Sequence, residues 1–333
     1  MKKFLQNLVP WLIAAAILFY LFRKMPPAQV AASLREVNLP FFLGFGLFYF
    51  LLIGSIDTWG LSRVLSRFAA PVGFIELLPA RGVSYLVALV NYNAGQAGIA
   101  FYLKRTKGAS LFKTLGAIFF IAIVDLYWVI FLAFLGTFLM KVEYAGIDVQ
   151  SWVRRVSYVS LAALFLHLAF WRGWFGKLLP KAMHFRVGDW LRGRHLFQAF
   201  HHATLGDYLR IALLRLPIHA TIITAFWFVV RLGGAEIAFR DVVAAVPIVL
   251  LMGALPLTPG GLGATQLATV ELLKSHTRTP PGVPAAELLL ALSLSWMALN
   301  YLLKALAGLV MLRRGSRELF RETADDAARS EEL

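Results

Sequence analysis

The sequence predicts an all-α integral membrane protein, and three observations carry that prediction. Apolar residues make up 59% of the chain and charged residues 15%, where a soluble chain is usually about 45–50% apolar and about 25% charged. Mean hydropathy is +0.70. Apolar runs recur from residue 8 to residue 312, and no polar block is long enough to form a separate globular domain. Helices satisfy their own backbone groups where no water can reach them. All of residues 1–333 therefore read as one polytopic membrane domain.

The formal net charge of +15 would suggest nucleic acid in a soluble protein. In a bilayer protein it has a simpler origin, because basic loops orient the spans and meet anionic headgroups. Nucleic acid is thus not an expected partner. The chain has no cysteine, which excludes disulfides and thiol chemistry.

Taken in order, the elements begin with Lys2 and Lys3 ahead of an apolar run over 6–22. Pro26-Pro27 follows and no small-residue cleavage site is evident, so the run reads as a retained first span. Runs at 39–59, 111–140, 152–171, 208–231 and 285–312 bring the total to about six spans of the length a bilayer requires. Two further apolar stretches are interrupted. The stretch 74–103 breaks at Asn91-Tyr92-Asn93-Ala94-Gly95, and 241–274 breaks at Pro256–Gly263.

Basic residues set the orientation. Arg172, Lys177, Lys181, Arg186, Arg192, Arg194 and Arg210 place the segment 172–210 in the cytoplasm. Arg313, Arg314, Arg317 and Arg321 place a tail over 313–333 on the same side, and Lys104, Arg105, Lys107 and Lys113 do so for their loop. Arg23, Lys24 and Arg35 do not fit this pattern. With these sides assigned, 74–103 starts and finishes inside while 241–274 starts and finishes outside. Each is read as a re-entrant helical hairpin, with a tilted span or an interfacial helix as the alternative. The two hairpins, opposed in the membrane, make an inverted-topology repeat over about 6–140 and 152–312, as many secondary transporters have.

The chemistry-bearing residues cluster at the breaks and inside the spans. In Leu255-Pro256-Leu257-Thr258-Pro259-Gly260-Gly261-Leu262-Gly263, prolines and glycines interrupt the helix. Unwound backbone at membrane depth is tolerated where protein or water satisfies it, and transporters build substrate sites there. Asn91, Asn93, Gly95, Gln96, Thr258 and Gln266 either satisfy freed backbone groups or bind a polar headgroup. Helix N-termini attract anions, and the helix starting near Gly263 would offer one. Asp125, in the middle of a span, is either a functional carboxylate or one paired to hold helices together. Asp57 lies near the cytoplasmic end of the second span and is either functional or exposed to headgroup water. Arg81 would bind a phosphate through its planar fork, pair with Glu76, or snorkel. Arg215 reads as a snorkelling residue or a phosphate ligand. Lys104 and Arg105 would receive a lipid phosphate or serve only as a cytoplasmic loop. His195, His201, His202 and Asp207 match no zinc spacing, and neither a phosphate-binding Gly-Lys-Ser/Thr loop nor a Gly-x-Ser-x-Gly elbow occurs. No cofactor or metal is expected.

Pro256-Leu257-Thr258-Pro259-Gly260-Gly261-Leu262-Gly263 resembles the Pro-Gly-Gly-x-Gly signature of the flippase-like membrane family that includes the transmembrane region of lysylphosphatidylglycerol synthases. Ala94-Gly95-Gln96, then Lys107-Gly108-Ala109-Ser110 and Asp125, are similar to that family's first block. The likeness runs from about residue 40 to 312. It implies a multi-pass protein of a bacterial or archaeal cytoplasmic membrane, with both termini inside, that moves or handles an anionic phospholipid or polyprenyl-linked headgroup. It does not imply aminoacylation, which in the synthases belongs to a soluble C-terminal domain. This chain departs from the family at Gln96 and Gln266, where acidic residues are frequent, and at Ile123-Val124, where charges are frequent. The expected function is a non-enzymatic lipid flippase. A non-transporting accessory subunit of a lipid-modifying or glycosyl-transferring enzyme, or a membrane-embedded headgroup enzyme, are the alternatives. A partner enzyme or a second copy of the chain would be the protein partner.

The absence of native cysteine makes the topology directly testable. A membrane-impermeant thiol reagent should label Thr279→Cys from outside and spare Lys107→Cys in intact cells. The reverse pattern would reject the opposed-hairpin arrangement.

Overall fold

A chain in hydrocarbon must close its backbone hydrogen bonds within each segment, and nearly every element here is a helix. The computed structural model describes residues 12, 15–35, 37–90, 92–140, 143–144, 147–172, 193–254 and 258–331. Five helices are long and apolar enough to cross a membrane: α1 (Leu39–Phe68), α4 (Leu111–Gly136), α5 (Val149–Trp171), α6 (Leu205–Leu232) and the first part, Ala285–Met311, of α9 (Ala285–Glu331). They coincide with five of the six expected spans. Of the sixth, over 6–22, the described residues are 12 and 15–22, and they are helical. The protein is an all-α membrane protein.

Both interrupted stretches are helix pairs. The first comprises α2 (Phe74–Val90) and α3 (Tyr92–Lys107), and the second α7 (Phe239–Ala254) and α8 (Ala264–Leu273). With 17, 16, 16 and 10 residues, all four fall short of the roughly 20 that a crossing needs. Between α7 and α8 the segment Pro259–Gly261 forms one 3-10 turn. Gly260, Gly261 and Gly263 have φ of 58°, 76° and 83°, the left-handed region that only glycine enters without strain. The Pro-Gly-Gly motif thus breaks the helix by conformation as well as by proline.

Two compact units divide the chain, and each of the five long helices contributes residues to both. The first unit comprises Met1–Leu52, Leu126–Ser160 and Ile218–Asn300, and it holds the α7–α8 pair. Trp296 packs with Phe45 and Phe42, each at 5.9 Å, and with Tyr49 at 4.9 Å. Aromatic pairs of this kind contribute about 0.5–1.5 kcal/mol beyond their area. Gly136 packs on the α7 backbone so closely that a Cβ there would lie 2.6 Å from the Ala244 carbonyl oxygen. Arg154 reaches back to the end of α4, donating to the Thr137 carbonyl and hydroxyl at 3.0 Å each. Two short antiparallel strands, β1 (Glu236–Ile237) and β2 (Thr277–Arg278), join the approach to α7 with the exit from α8.

The second unit comprises Ile53–Asp125, Leu161–Pro217 and Tyr301–Leu333, and it holds the α2–α3 pair. Gly95 on α3 lies so close to α2 that a Cβ would sit 2.6 Å from the Ser84 carbonyl oxygen. Small residues permit this approach where lipid supplies no hydrophobic drive between helices. Gly308 on α9 packs in the same way on Gly82 of α2. Phe120 fills the interior against Phe200 at 5.1 Å and Tyr208 at 4.7 Å. A capping box opens α6. Thr204 N–H donates to Asp207 Oδ2 at 2.9 Å, and Asp207 N–H donates to the Thr204 hydroxyl at 3.1 Å. Arg67 adds two hydrogen bonds at 3.2 Å to the same carboxylate.

The α2–α3 pair provides an internal comparison. Gly95→Ala forces a methyl onto backbone and should lower stability by about 1–3 kcal/mol. Gly98, with nothing within 4 Å of its added Cβ, lies in the same helix, and Gly98→Ala should stabilise by up to about 1 kcal/mol through helix propensity. Thermal unfolding of the detergent-solubilised variants distinguishes the two.

Candidate functional site

Four long or hairpin helices of the second unit each bring one charged residue to a common centre: Asp57 from α1, Arg81 from α2, Asp125 from α4 and Arg215 from α6. Arg215 is the hub. Its Nε and Nη2 donate to the two oxygens of Asp125 at 2.8 and 2.6 Å, a bidentate fork. Its Nη1 donates to Asp57 Oδ1 at 2.6 Å. The other Asp57 oxygen is paired with Nη2 of Arg81. The arginine side chains are only 7–8% exposed and the aspartates 25%. Gly60 lies beside the hub, where a Cβ would make ordinary contact, 3.7 Å from Arg215 Nη1.

Charge-assisted bidentate bonds of this type are strong and directional. Burial makes them necessary, because a carboxylate or guanidinium stranded in a low-dielectric interior costs several kcal/mol. The quartet surrounds a small cleft of about 50 Å³. Asp57, Arg81, Asp125 and Arg215 line it together with Gln96 from α3 and Ala122 from α4. A volume of that size is well below the roughly 300–1,000 Å³ of small-molecule sites, so a headgroup would enter only as the lining side chains move apart.

The structure revises three readings made from sequence. Arg81 pairs with Asp57 and not with Glu76, whose carboxylate instead takes Lys107 Nζ at 2.6 Å and the Gly73 N–H at 2.7 Å. Arg215 does not snorkel, because two carboxylates hold it in the interior. Asp57 is an ion-pair partner of both arginines, not a group facing headgroup water. Of the residues at the first break, Gln96 reaches the cleft and Gly95 serves packing. Lys104 and Arg105 are exposed on the last turn of α3, away from the cleft lining.

The residues of the Pro-Gly-Gly break lie in the first unit. Gln266 is buried there, and its Oε1 accepts the Gly263 N–H at 2.7 Å and the Thr265 hydroxyl at 3.2 Å. It therefore supplies the N-terminal cap of α8. Thr258 is buried with its hydroxyl unbonded. Asn91 and Pro256 lie outside the described residues, as do the side chains of Asn93 and Pro259. Among the described residues no group of three histidines or carboxylates is placed to hold a metal.

Sequence reasoning found the four charges one at a time and missed that they meet. A signal was present: two acids and two bases fall within apolar helices, and buried charges of opposite sign pair.

The family described as the lysylphosphatidylglycerol synthase transmembrane region matches residues 7–308. No curated protein and no solved structure matches the chain.

Arg215→Met takes the hub from two carboxylates at once, of which Asp57 keeps Arg81, whereas Asp125→Asn leaves Arg215 its second partner. The arginine variant should lose about 3–5 kcal/mol and the asparagine variant less. Combining Arg215→Met with Asp125→Asn should recover part of the loss. Unfolding midpoints of the purified proteins measure this cycle, and equal effects of both single variants would contradict the hub role.

Proposed function

The chain belongs to the lysylphosphatidylglycerol synthase transmembrane-region family, and from that premise we propose that it is a lipid flippase-like transporter, not an enzyme. It would carry a phospholipid or lipid-linked headgroup across a cytoplasmic membrane. One observation supports the reading above the others: a polar cleft lined by two aspartates, two arginines and a glutamine, set among membrane-crossing helices. A lipid carrier needs a polar path for the headgroup and open access for the tails. The quartet supplies fixed dipoles and charges that replace headgroup hydration. The α2–α3 and α7–α8 pairs, each too short to cross, fit re-entrant hairpins of an inverted repeat, an arrangement common in transporters that bind at the midplane.

Transport also needs charges that exchange partners. Arg215 is bonded to two carboxylates at once, so it retains one partner while releasing the other. An arriving phosphate would then compete for a guanidinium without leaving any group stranded. That property distinguishes the quartet from a simple pair, whose opening would cost the full desolvation of both members.

The test is reconstitution of the full chain into vesicles carrying fluorescent phospholipid, with the accessible leaflet chemically quenched over time. Wild-type protein should accelerate loss of the inner-leaflet signal. Ala122→Trp should block the cleft without removing any charge and reduce the rate per folded molecule by about tenfold or more. If wild-type protein leaves the rate at that of empty vesicles, the accessory-subunit reading replaces this one.

A further inference from the structure

Two polar groups that line the small cleft have hydrogen-bonding capacity that no described residue uses. The first is on Arg81, which is 7% exposed. Its Nη2 is engaged with Asp57, and its guanidinium lies over the Tyr85 ring at 5.5 Å. Its Nε is buried with no hydrogen-bond partner, and such a donor is costly in a membrane interior. The second is the side-chain amide of Gln96, the one uncharged polar residue of the lining. Among the described residues nothing hydrogen-bonds to that amide.

Size and charge limit what could satisfy both. The cleft is about 50 Å³. One water takes roughly 10–15 Å³ of such space, and buried water sits where polar groups would otherwise go unbonded. Asp57 and Asp125 cancel the charges of Arg81 and Arg215, and all four side chains line the cleft. A small anion would meet the two carboxylates, and a cation would meet the two guanidiniums. A neutral molecule that both accepts and donates avoids each conflict.

We propose that Arg81 Nε and Gln96 together hold ordered water in this cleft. The water oxygen accepts the hydrogen bond from Nε. Its own protons go to the Gln96 carbonyl oxygen and to an aspartate, whose oxygens each accept more than one bond. That makes three bonds, the usual number for a buried water. The site stands whether or not the chain moves lipid. It also makes the quartet unequal. Arg215 is held by carboxylates through Nε, Nη1 and Nη2, whereas Arg81 keeps a water on parting from Asp57. Arg81 is thereby the arginine that releases at lower cost.

X-ray hydroxyl-radical labelling of the full chain in nanodiscs, read by mass spectrometry, tests this. The radicals form from water and oxidise the side chains beside it. Leu61 and Leu65 are matched leucines one turn apart on α1, 3% and 0% exposed. Of the two, Leu61 lines the cleft. Leu61 should be oxidised severalfold faster than Leu65. Gln96→Met, similar in size but without the amide, should lower Leu61 labelling about fivefold, the scale of one hydrogen bond. Gln96→Asn should retain most of it. Equal labelling of Leu61 and Leu65 in wild-type protein overturns the proposal, and that comparison needs no variant. Undiminished Leu61 labelling in folded Gln96→Met overturns it too. Replacing gluconate with chloride should leave the unfolding midpoint unchanged. A chloride-dependent rise that Gln96→Met abolishes would assign the site to a small anion and remove the water claim.

Discussion

A charge in a bilayer interior must find an opposite charge or be lost, and that constraint organises the second unit of this protein. Arg215 could not occupy the interior of α6 without Asp57 and Asp125, and neither aspartate could stay ionised there alone. Each of the four charged residues comes from a different helix. Their pairing thereby fixes how α1, α2, α4 and α6 are rotated about their own axes. Lipid tails are as apolar as leucine, so hydrophobicity cannot set that rotation. The polar pairs and the glycine contacts set it instead.

Glycine contributes in two physically distinct ways. At Gly95, Gly136 and Gly308 the backbone is helical and the missing Cβ allows another helix to approach. At Gly260, Gly261 and Gly263 the backbone itself requires glycine, because φ is positive. The first use packs helices together, and the second ends one helix and starts another. Gln266 completes the second use by capping α8 with its side-chain oxygen. The uncharged glutamine at that position satisfies a backbone donor without bringing a further charge into the first unit.

The quartet is balanced in charge but not in hydrogen bonding. Arg81 retains a buried, unbonded donor at Nε. A site meant only to hold helices together would satisfy all its donors, since each unsatisfied one reduces stability. A binding site has reason to leave one open. The proposed lipid carrier draws on that unmet hydrogen bonding within a small cleft.

Much of the architecture was determined by the sequence alone. Five spans lie where apolar runs of sufficient length occur, because burial of side chains in lipid depends on composition and length. The second helix break lies at the Pro-Gly-Gly motif, because proline and positive φ act locally. The family was legible for the same reason, being carried by a contiguous motif. What the tertiary structure decided was partnership. Asp57 and Arg215 are separated by 158 positions and Asp125 and Arg215 by 90, and no local rule connects them. From sequence Arg81 had a near neighbour in Glu76 and Arg215 had an interface to snorkel to. In the folded protein both meet aspartates on other helices, because helix packing and not chain proximity determines which charges share a low-dielectric space.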